Sequence, residues 1–444
     1  MSNNTSPVNS GNIENFIISS NTGGGSVDIT GGIADFRYYE SVLSNSITAT
    51  VTVVETGTGT NGGVVDSLPV RGGERTDIKV TDAQGNQLKF KDGLYVNRVR
   101  NSDPTTTRDL YFIDLTSSDT FANDQTRVVK RYEGKISDHV SSILSDVLKT
   151  KYSLDVETTS VPYNFFGNDR KPFYICTWLA SKSIPSGSGS LSSGGGGSSI
   201  GGAAGFLFFQ TRDAFVFKSI DSLLSGPPSK KFINTRTPKI PDGYDANILS
   251  YTLDTDIDLA QNLSLGTYNN RTIFYDPVSF NYVVRDYNIN NQKGKISPAG
   301  RSGKTTGELI SPQFTAGPSR LLSTVLDVGY NPSGSNAQEQ LETWNSDKTK
   351  PNFDSPQTMV QSVMRYNQLF TIQNQITIPG DFTIKAGDIV KCDFPETNSD
   401  ENAGINSQSS GKYLVAHVCH RITSTDTFTS LGLIRDSYGR SSNS

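Results

Sequence analysis

From Ser26 to about Thr116, apolar and polar residues alternate in short runs. In SITATVTVVE, Ile47, Ala49, Val51 and Val53 fall on one side and Thr48, Thr50 and Thr52 on the other. That two-residue period belongs to a half-buried strand. SVDITGGIADFRYY predicts two short strands around Gly31-Gly32. TDIKVTDAQGNQLKF predicts a hairpin turning at Gly85-Asn86, because a two-residue turn needs backbone that glycine and asparagine adopt readily. LYVNRV and LYFIDL add two strands, separated by the turn-forming NSDPTTT. One antiparallel barrel or sandwich of roughly ninety residues accounts for the stretch.

The period then changes. KISDHVSSILSDVLKT places Ile136, Val140, Ile143, Leu144 and Val147 on one helical stripe, with Ser137 as the expected N-cap. KPFYICTWLASKSI predicts a second helix opened by Pro172, with Phe173, Cys176, Leu179 and Ala180 apolar. GFLFFQTRDAFVFKSI predicts two apolar strands joined at Arg212-Asp213. Between helix and strands lies GSGSLSSGGGGSSIGG, Gly187 to Gly202. A phosphate-cradling loop runs from a strand into a helix N-terminus, where N–H groups and the helix dipole hold the anion. Here the order is helix, glycines, strand, so the run reads as a flexible surface insertion.

Strands return from about Asn247 with NILSYTLDTD and the tyrosine-rich hairpin GTYNNRTIFYDPVSFNYVVRDY. SPQTMVQSVMRYNQLF predicts a helix capped by Ser355, with Pro356 first and Met359, Val360, Val363 and Met364 inward. In the FTIQNQITI that follows, Phe370, Ile372, Ile376 and Ile378 oppose Thr371, Gln373, Gln375 and Thr377. FTIKAGDIVKCDFP, GKYLVAHVCHRI and FTSLGLIRDS complete a β meander.

The two strand-rich ends echo each other. RGGERTDIKV at 71–80 and KAGDIVKC at 385–392 both read basic-x-Gly-acidic and then a strand. GLYVNRV at 93–99 matches GKYLVAHV at 411–418, and TRDLYFIDL at 107–115 matches TFTSLGLIRD at 427–436. Three echoes in one order predict a duplicated barrel.

Composition narrows the function. Hydrophobic residues are 34% of 444, with 41 glycines, which suits strands and turns rather than a helical bundle. Forty Lys and Arg against 44 Asp and Glu leave a net charge of −4, which disfavours a dedicated nucleic-acid binder. Cys176, Cys392 and Cys419 are too scattered for a disulfide framework. No run approaches a membrane helix and MSNNTSPVNS lacks a secretory pattern, so synthesis in a cytoplasm and no stable membrane insertion are expected.

Candidate chemistry is sparse. GRSGKTT (300–306) ends like a Walker loop, but Pro298 stands where its first glycine is required and Gly307 spoils the helix, so it reads as a solvated basic loop with Lys293, Lys295 and Arg301. His417, Cys419 and His420, with Cys392, are metal-ligand types; on a strand His417 and Cys419 share one face and His420 takes the other, which argues for a packed strand over zinc. Asp254, Asp256 and Asp258 resemble the start of a calcium loop, yet the twelfth position is Leu265, not Glu. His139 sits on a helix with no nucleophile elbow nearby. The reading is a non-enzyme with no catalytic, cofactor-binding or metal residues.

TFANDQTRVVKRYEGKISDHVSSIL (120–144), KPFYICTWLASKSI (171–184), GFLFFQTRDAFVFKSIDSLL (205–224), IPGDFTIKAGDIVKCDFP and GKYLVAHVCHRITSTDTFTSLGLIRDS (378–437) resemble the baseplate hub protein of contractile-tailed, myovirus-type bacteriophages. That family is related to the hub part of type VI secretion spike proteins. The resemblance covers most of 26–260 and 356–437. It implies a mainly β chain with two tail-tube-like antiparallel β-barrels, an inserted α/β domain and a loop-rich extension. The expected division is an arm over 1–25, disordered or extended; a first barrel over 26–118; an α/β domain over 119–230 with a flexible loop 186–204; and a second barrel split between 231–288 and 356–437. A loop-rich insertion or arm follows over 289–355, with a tail at 438–444.

The resemblance further implies a homotrimer in the virion baseplate, assembled in the host cytoplasm. It would join the hexameric tail tube to a trimeric central spike and form part of the DNA channel, with baseplate wedge proteins as possible neighbours and DNA passing through its lumen without specific binding. The chain stops shortly after LIRDS, so the spike is expected as a separate protein. The Phe/Tyr hairpin 268–287 is the candidate for subunit contacts. A tail-tip cell-wall hydrolase and a receptor- or carbohydrate-binding tail protein are the alternative readings.

Overall fold

The computed structural model describes residues 11–23, 25–55, 70–101, 109–186, 203–235, 239–254, 258–277, 280–292, 296, 298–300, 306–326, 339, 351–396 and 404–439. It is mainly β, with antiparallel sheets and an α/β insertion.

The first unit contains β1 (Asn12–Ser19), β2 (Ser26–Asp28), β3 (Ile33–Ser41), β4 (Thr48–Glu55), β5 (Arg75–Thr81), β6 (Gln87–Leu88), β7 (Leu94–Asn101) and β8 (Asp109–Thr116). They pair in the order β3-β4-β8-β7-β5-β1-β2, with β6 beside β5. The alternation in β4 holds, with Ala49, Val51 and Val53 buried. At the β5–β6 turn Gly85 has φ 85°, and the Asp82 carboxylate accepts hydrogen bonds from the N–H groups of Gln84 and Asn86. The expected arm over 1–25 is corrected in part: Asn12–Ser19 is a strand along β5, with Phe16 and Ile18 fully buried. Residues 1–10 lie outside the described residues. Phe16 meets Phe36 of β3 edge to face at 6.4 Å, so side chains draw the two ends of the strand order together.

The insertion holds α1 (Ser118–Gln125), β9 (Arg131–Tyr132), α2 (Ile136–Ser142), β10 (Ser153–Val156), β11 (Phe165–Phe166), α3 (Pro172–Ala180), β12 (Phe206–Gln210), β13 (Ala214–Ser219) and α4 (Ile220–Ser225). Pro172 opens α3, where its missing N–H costs nothing. Ser137 is not the cap of α2: Lys135 takes that position, and the Ser137 N–H is bonded by Thr159 Oγ1 at 3.0 Å. Residues 187–202 of the Gly/Ser loop lie outside the described residues. All of β12 is buried because its two faces serve two cores. Phe206, Phe208, Phe215 and Phe217 join the first unit's core, while Leu207, Phe209 and Val216 join the second's. A strand buried on both faces loses its alternation, which is why FLFFQ reads as continuously apolar.

The remaining elements are β14 (Lys230–Ile233), β15 (Ala246–Asn247), β16 (Ser250–Asp254), α5 (Leu259–Ser264), β17 (Asn269–Asp276), β18 (Asn281–Asn288), β19 (Arg320–Val325), α6 (Ser355–Leu369), β20 (Ile372–Pro379), β21 (Ile389–Asp393), β22 (Gly411–Thr423) and β23 (Thr427–Arg435). β14 pairs with β21, β21 with β22, β22 with β23, β23 with β20 and β20 with β16. β16 continues from β15, which pairs back on β14, so the ring closes. Phe232, Ile376, Val390, Tyr413 and Leu433 fill it.

The tyrosine-rich hairpin does not enter this barrel, contrary to the expected 231–288 assignment. β17 and β18 form a separate sheet with β19, a strand inside the segment expected to be loop-rich. Its inner face packs Phe274, Val283 and Tyr287 on Val360 and Met364 of α6. Val363, expected inward, is 43% exposed, because the buried stripe runs through Val360, Met364 and Gln368 at four-residue spacing. Asp354, with φ 39°, holds the N-cap position expected for Ser355.

The sequence echo is a structural one. Gly73 and Gly387 have φ of 86° and 89°. The Gly73 N–H donates to Val96 O and the Val96 N–H to Glu74 O; the Gly387 N–H donates to Val415 O and the Val415 N–H to Asp388 O, all at 2.7–2.9 Å. Glu74 accepts from the Arg71 N–H and Asp388 from the Lys385 N–H, each at 2.9 Å. The acid three residues after the base closes a turn on itself, and the glycine supplies a left-handed backbone. The surroundings differ: a Cβ on Gly387 would lie 2.8 Å from Phe209 Cζ, whereas on Gly73 the nearest atom is 3.6 Å away. Gly73→Ala should therefore cost about 1–2 kcal/mol of backbone strain alone, and Gly387→Ala clearly more. Urea titrations of the two variants check this; equal losses would refute it.

Candidate functional site

β22 joins the two units. Its first residues, Gly411 to Leu414, pair with β21 inside the closed barrel, and His417 to Thr423 pair with β3 of the first unit. A bulge between Val415 and His417 lets one strand serve both partners. Opposite it stands Gly432, where a Cβ would lie 3.0 Å from His417 Cδ2. One sheet therefore runs across both units in the order β16-β20-β23-β22-β3-β4-β8-β7. One side covers both cores; the other presents its polar residues.

Rows of cross-strand neighbours define that polar face. One row reads Thr252, Gln375, Gly432, His417, Ser41. The next reads Ser250, Thr377, Ser430, Cys419, Tyr39, Thr48. A third reads Arg421, Arg37, Thr50, Asp114, Arg98. Asp35 bridges the first two arginines, 2.6 Å from Arg37 Nε and 2.9 Å from Arg421 Nε. Asp114 takes Arg100 in a forked pair at 2.9 and 3.1 Å. The first two rows line a groove of about 550 Å³ with Tyr39, His417, Cys419, Gln373 and Gln375 on its walls. Burial lowers the His417 pKa, which favours its neutral imidazole.

Beneath this face a buried carboxylate ties the units together. Glu40 of β3 accepts from Tyr38 Oη at 2.8 Å, from the Arg212 N–H at the β12–β13 turn at 2.9 Å, and from the Ala386 N–H in the repeated turn at 2.9 Å. Desolvation raises its pKa, partly offset by the Arg212 charge. His420 stacks on Tyr38 and is fully buried, with Nδ1 on Thr429 Oγ1 and Nε2 on Ile384 O. Burial, then the Arg212 charge, pushes the His420 pKa down to about 3.

A tail protein from Neisseria meningitidis MC58 superposes on this chain with a TM-score of 0.53 at 12% identity, covering 95% of this chain and 97% of that one. The fold is that of a tail protein. The 43 kDa tail protein of prophage MuSo2 from Shewanella oneidensis aligns at 11% identity over 95% and 98% of the two chains, with a TM-score of 0.48. An Escherichia coli component of the type VI secretion system, itself similar to bacteriophage T4 tail proteins, aligns at 9% identity over 92% and 75%, with a TM-score of 0.39. No family model matches the sequence, and no curated protein matches it significantly.

Within this tail-protein fold the sequence candidates disperse. His417 and Cys419 share the groove while His420 faces the interior, as the strand period requires. Cys392 is buried inside the closed barrel, where desolvation raises its thiol pKa. His139 is a core residue, its Nε2 on Tyr163 O at 2.9 Å and its ring against Tyr132 and Phe165; burial lowers its pKa. Asp258 caps α5 by accepting from the Gln261 N–H, Asp254 is exposed at the end of β16, and Asp256 lies outside the described residues. So do Lys293, Lys295, Arg301 and residues 302–305 of GRSGKTT. No group of three or more His, Cys, Asp or Glu among the described residues is placed to hold a metal ion. No described helix is long and apolar enough to cross a membrane.

The outer face of the hairpin sheet exposes large apolar side chains beside the Arg271–Asp286 ion pair. Phe280 is 79% exposed and Tyr282 71%, with Tyr275, Leu321 and Val325 also open. Sequence reasoning reached this hairpin but missed Glu40, Asp35 and Asp114. For Asp35 the signal was present: in IADFRYYES the two-residue period places it on one face with Arg37, Tyr39 and Ser41.

Proposed function

We propose that this chain is the structural hub subunit of a contractile phage baseplate, and that its function is geometric rather than catalytic. The observation that carries the reading is the repeated turn at Gly73 and Gly387, set in two β units that share one sheet. A chain that carries one β module twice presents six such modules when three copies assemble around an axis, and a six-membered tube ring can mate with them. The whole-length likeness to a solved tail protein supports the same reading. In this proposal the trimer sits in the virion, joins the tail tube to the trimeric central spike and surrounds the path of DNA. The open aromatic face of the hairpin sheet is its subunit contact, of the kind obligate interfaces bury in areas of about 2,000 Å² or more.

The expected result is a mass in solution three times the 48.1 kDa chain, alone or once the spike protein is added. A monomer at micromolar concentration under both conditions would overturn the adaptor reading.

A further inference from the structure

A second cleft, of about 540 Å³, lies where α5, the last turn of α6 and the start of β20 meet the end of β16. That is within the ~300–1,000 Å³ of small-molecule sites. Tyr366 and Phe370, four residues apart and so on one side of the helix end, line it with half-buried rings. Tyr366 Oη donates to Phe206 O at 2.6 Å, which fixes its ring. Gln261, Asn262, Asn367 and Gln373 bring side-chain amides, and Asp254 and Asp258 are the only charged residues among the described ones that line the cleft. Thr267 lines it as well and is 1% exposed. Its N–H donates to Asn262 O at 3.0 Å and its carbonyl accepts from Gln368 Nε2 at 3.3 Å, yet its Oγ1 has no hydrogen-bond partner among the described residues. A buried hydroxyl left unmatched is costly, and native folds keep few of them.

These groups select a class of ligand. An anion would meet two carboxylates and no base. A bare cation would leave the amide N–H groups idle, and Asp258 already accepts from the Gln261 N–H at the head of α5. A sugar uses every group present. Its hydroxyls both donate and accept, as the amides and Thr267 do, while the C–H face of its ring covers an aromatic side chain. We infer that this cleft binds a neutral oligosaccharide, with Tyr366 and Phe370 as the stacking walls and Asp254, Asn367 and Thr267 as hydroxyl partners. Internal bonds already hold parts of the walls: Thr371 Oγ1 donates to Gln368 O at 2.7 Å and Gln373 Nε2 to Phe370 O at 3.1 Å, so less has to be ordered on binding. The inference does not depend on the hub reading.

The test is isothermal titration of the full-length protein with chitotriose, maltotriose and cellotriose, and with spermidine as the cation. Wild type is expected to bind at least one of the three sugars; chitotriose alone would assign an acetamido sugar of the cell-wall type, and either glucan alone a plain one. D254A/N367A, two changes at exposed positions, is expected to bind that sugar ~10-fold or more weakly. D77A/Q84A, an exposed acid and amide in the first unit, is expected to bind as wild type. T267V keeps the shape and removes the unmatched hydroxyl, so it should lose about 2- to 10-fold in affinity without melting earlier. Binding of none of the sugars, binding of spermidine alone, or unchanged sugar affinity in D254A/N367A or in T267V overturns the inference.

Discussion

Replacing Arg365 with alanine should destabilise the fold by ~3–5 kcal/mol, because it strands two carboxylates in the interior. Arg365 of α6 is 2% exposed and reaches Asp436 at 2.5 Å and Asp221 at 2.8 Å, carboxylates that are themselves 0% and 15% exposed in their side chains. Burial opposes its charge, but Asp436 and Asp221 more than compensate, and the guanidinium pKa is raised. The triad holds three pieces of chain together: α6, the start of α4, and the segment after β23, where Asp436 also accepts from the Ala299 N–H at 3.1 Å. Calorimetry should show the main transition falling by roughly 3–5 °C. R365K keeps the charge but loses the fork, so it should lie between the two. An alanine variant that melts with wild type would remove the triad from the list of what holds the fold.

Glu40 carries the second large effect. Glu40→Ala leaves the Arg212 N–H, the Ala386 N–H and Tyr38 Oη without their acceptor, at about 1–3 kcal/mol for each buried group. A total loss of ~3 kcal/mol or more is expected, and the units on either side should unfold at separate temperatures where wild type unfolds as one. Glu40→Gln adds a test of sign. The folded pKa of Glu40 is raised above 4.5, chiefly by desolvation. Its contribution is thus fully present below the unfolded value and declines as pH rises through the folded one. The deficit of Glu40→Gln relative to wild type should be largest near pH 4.5 and shrink as pH rises. A level deficit would mean that folding does not shift the pKa, and a growing one that the fold favours the ionised carboxylate; either would refute the prediction.

Both residues were invisible in the linear pattern for one reason: their partners come from distant segments. Glu40 meets residues 172 and 346 positions away, and nothing local distinguishes it from an ordinary polar residue in a strand. The hairpin at 269–288 was legible as a hairpin but not as a separate sheet, because its partner β19 lies in a polar stretch and is parallel to it. β1 escaped for a related reason. Its alternation is short, and only the open edge of β5 makes it a strand.

What the chain determined alone were the features that local chemistry decides. Period-two alternation set β4 and β20, Pro172 opened α3, and the basic-x-Gly-acidic turn appears twice with the same bonds because glycine and an acid three residues after a base suffice to close it. Tertiary structure alone decided which strands became neighbours. A two-residue period says which face is buried but not against what, so the pairing of β22 with β3, the double burial of β12, and the gathering of three arginines around two aspartates required the folded chain.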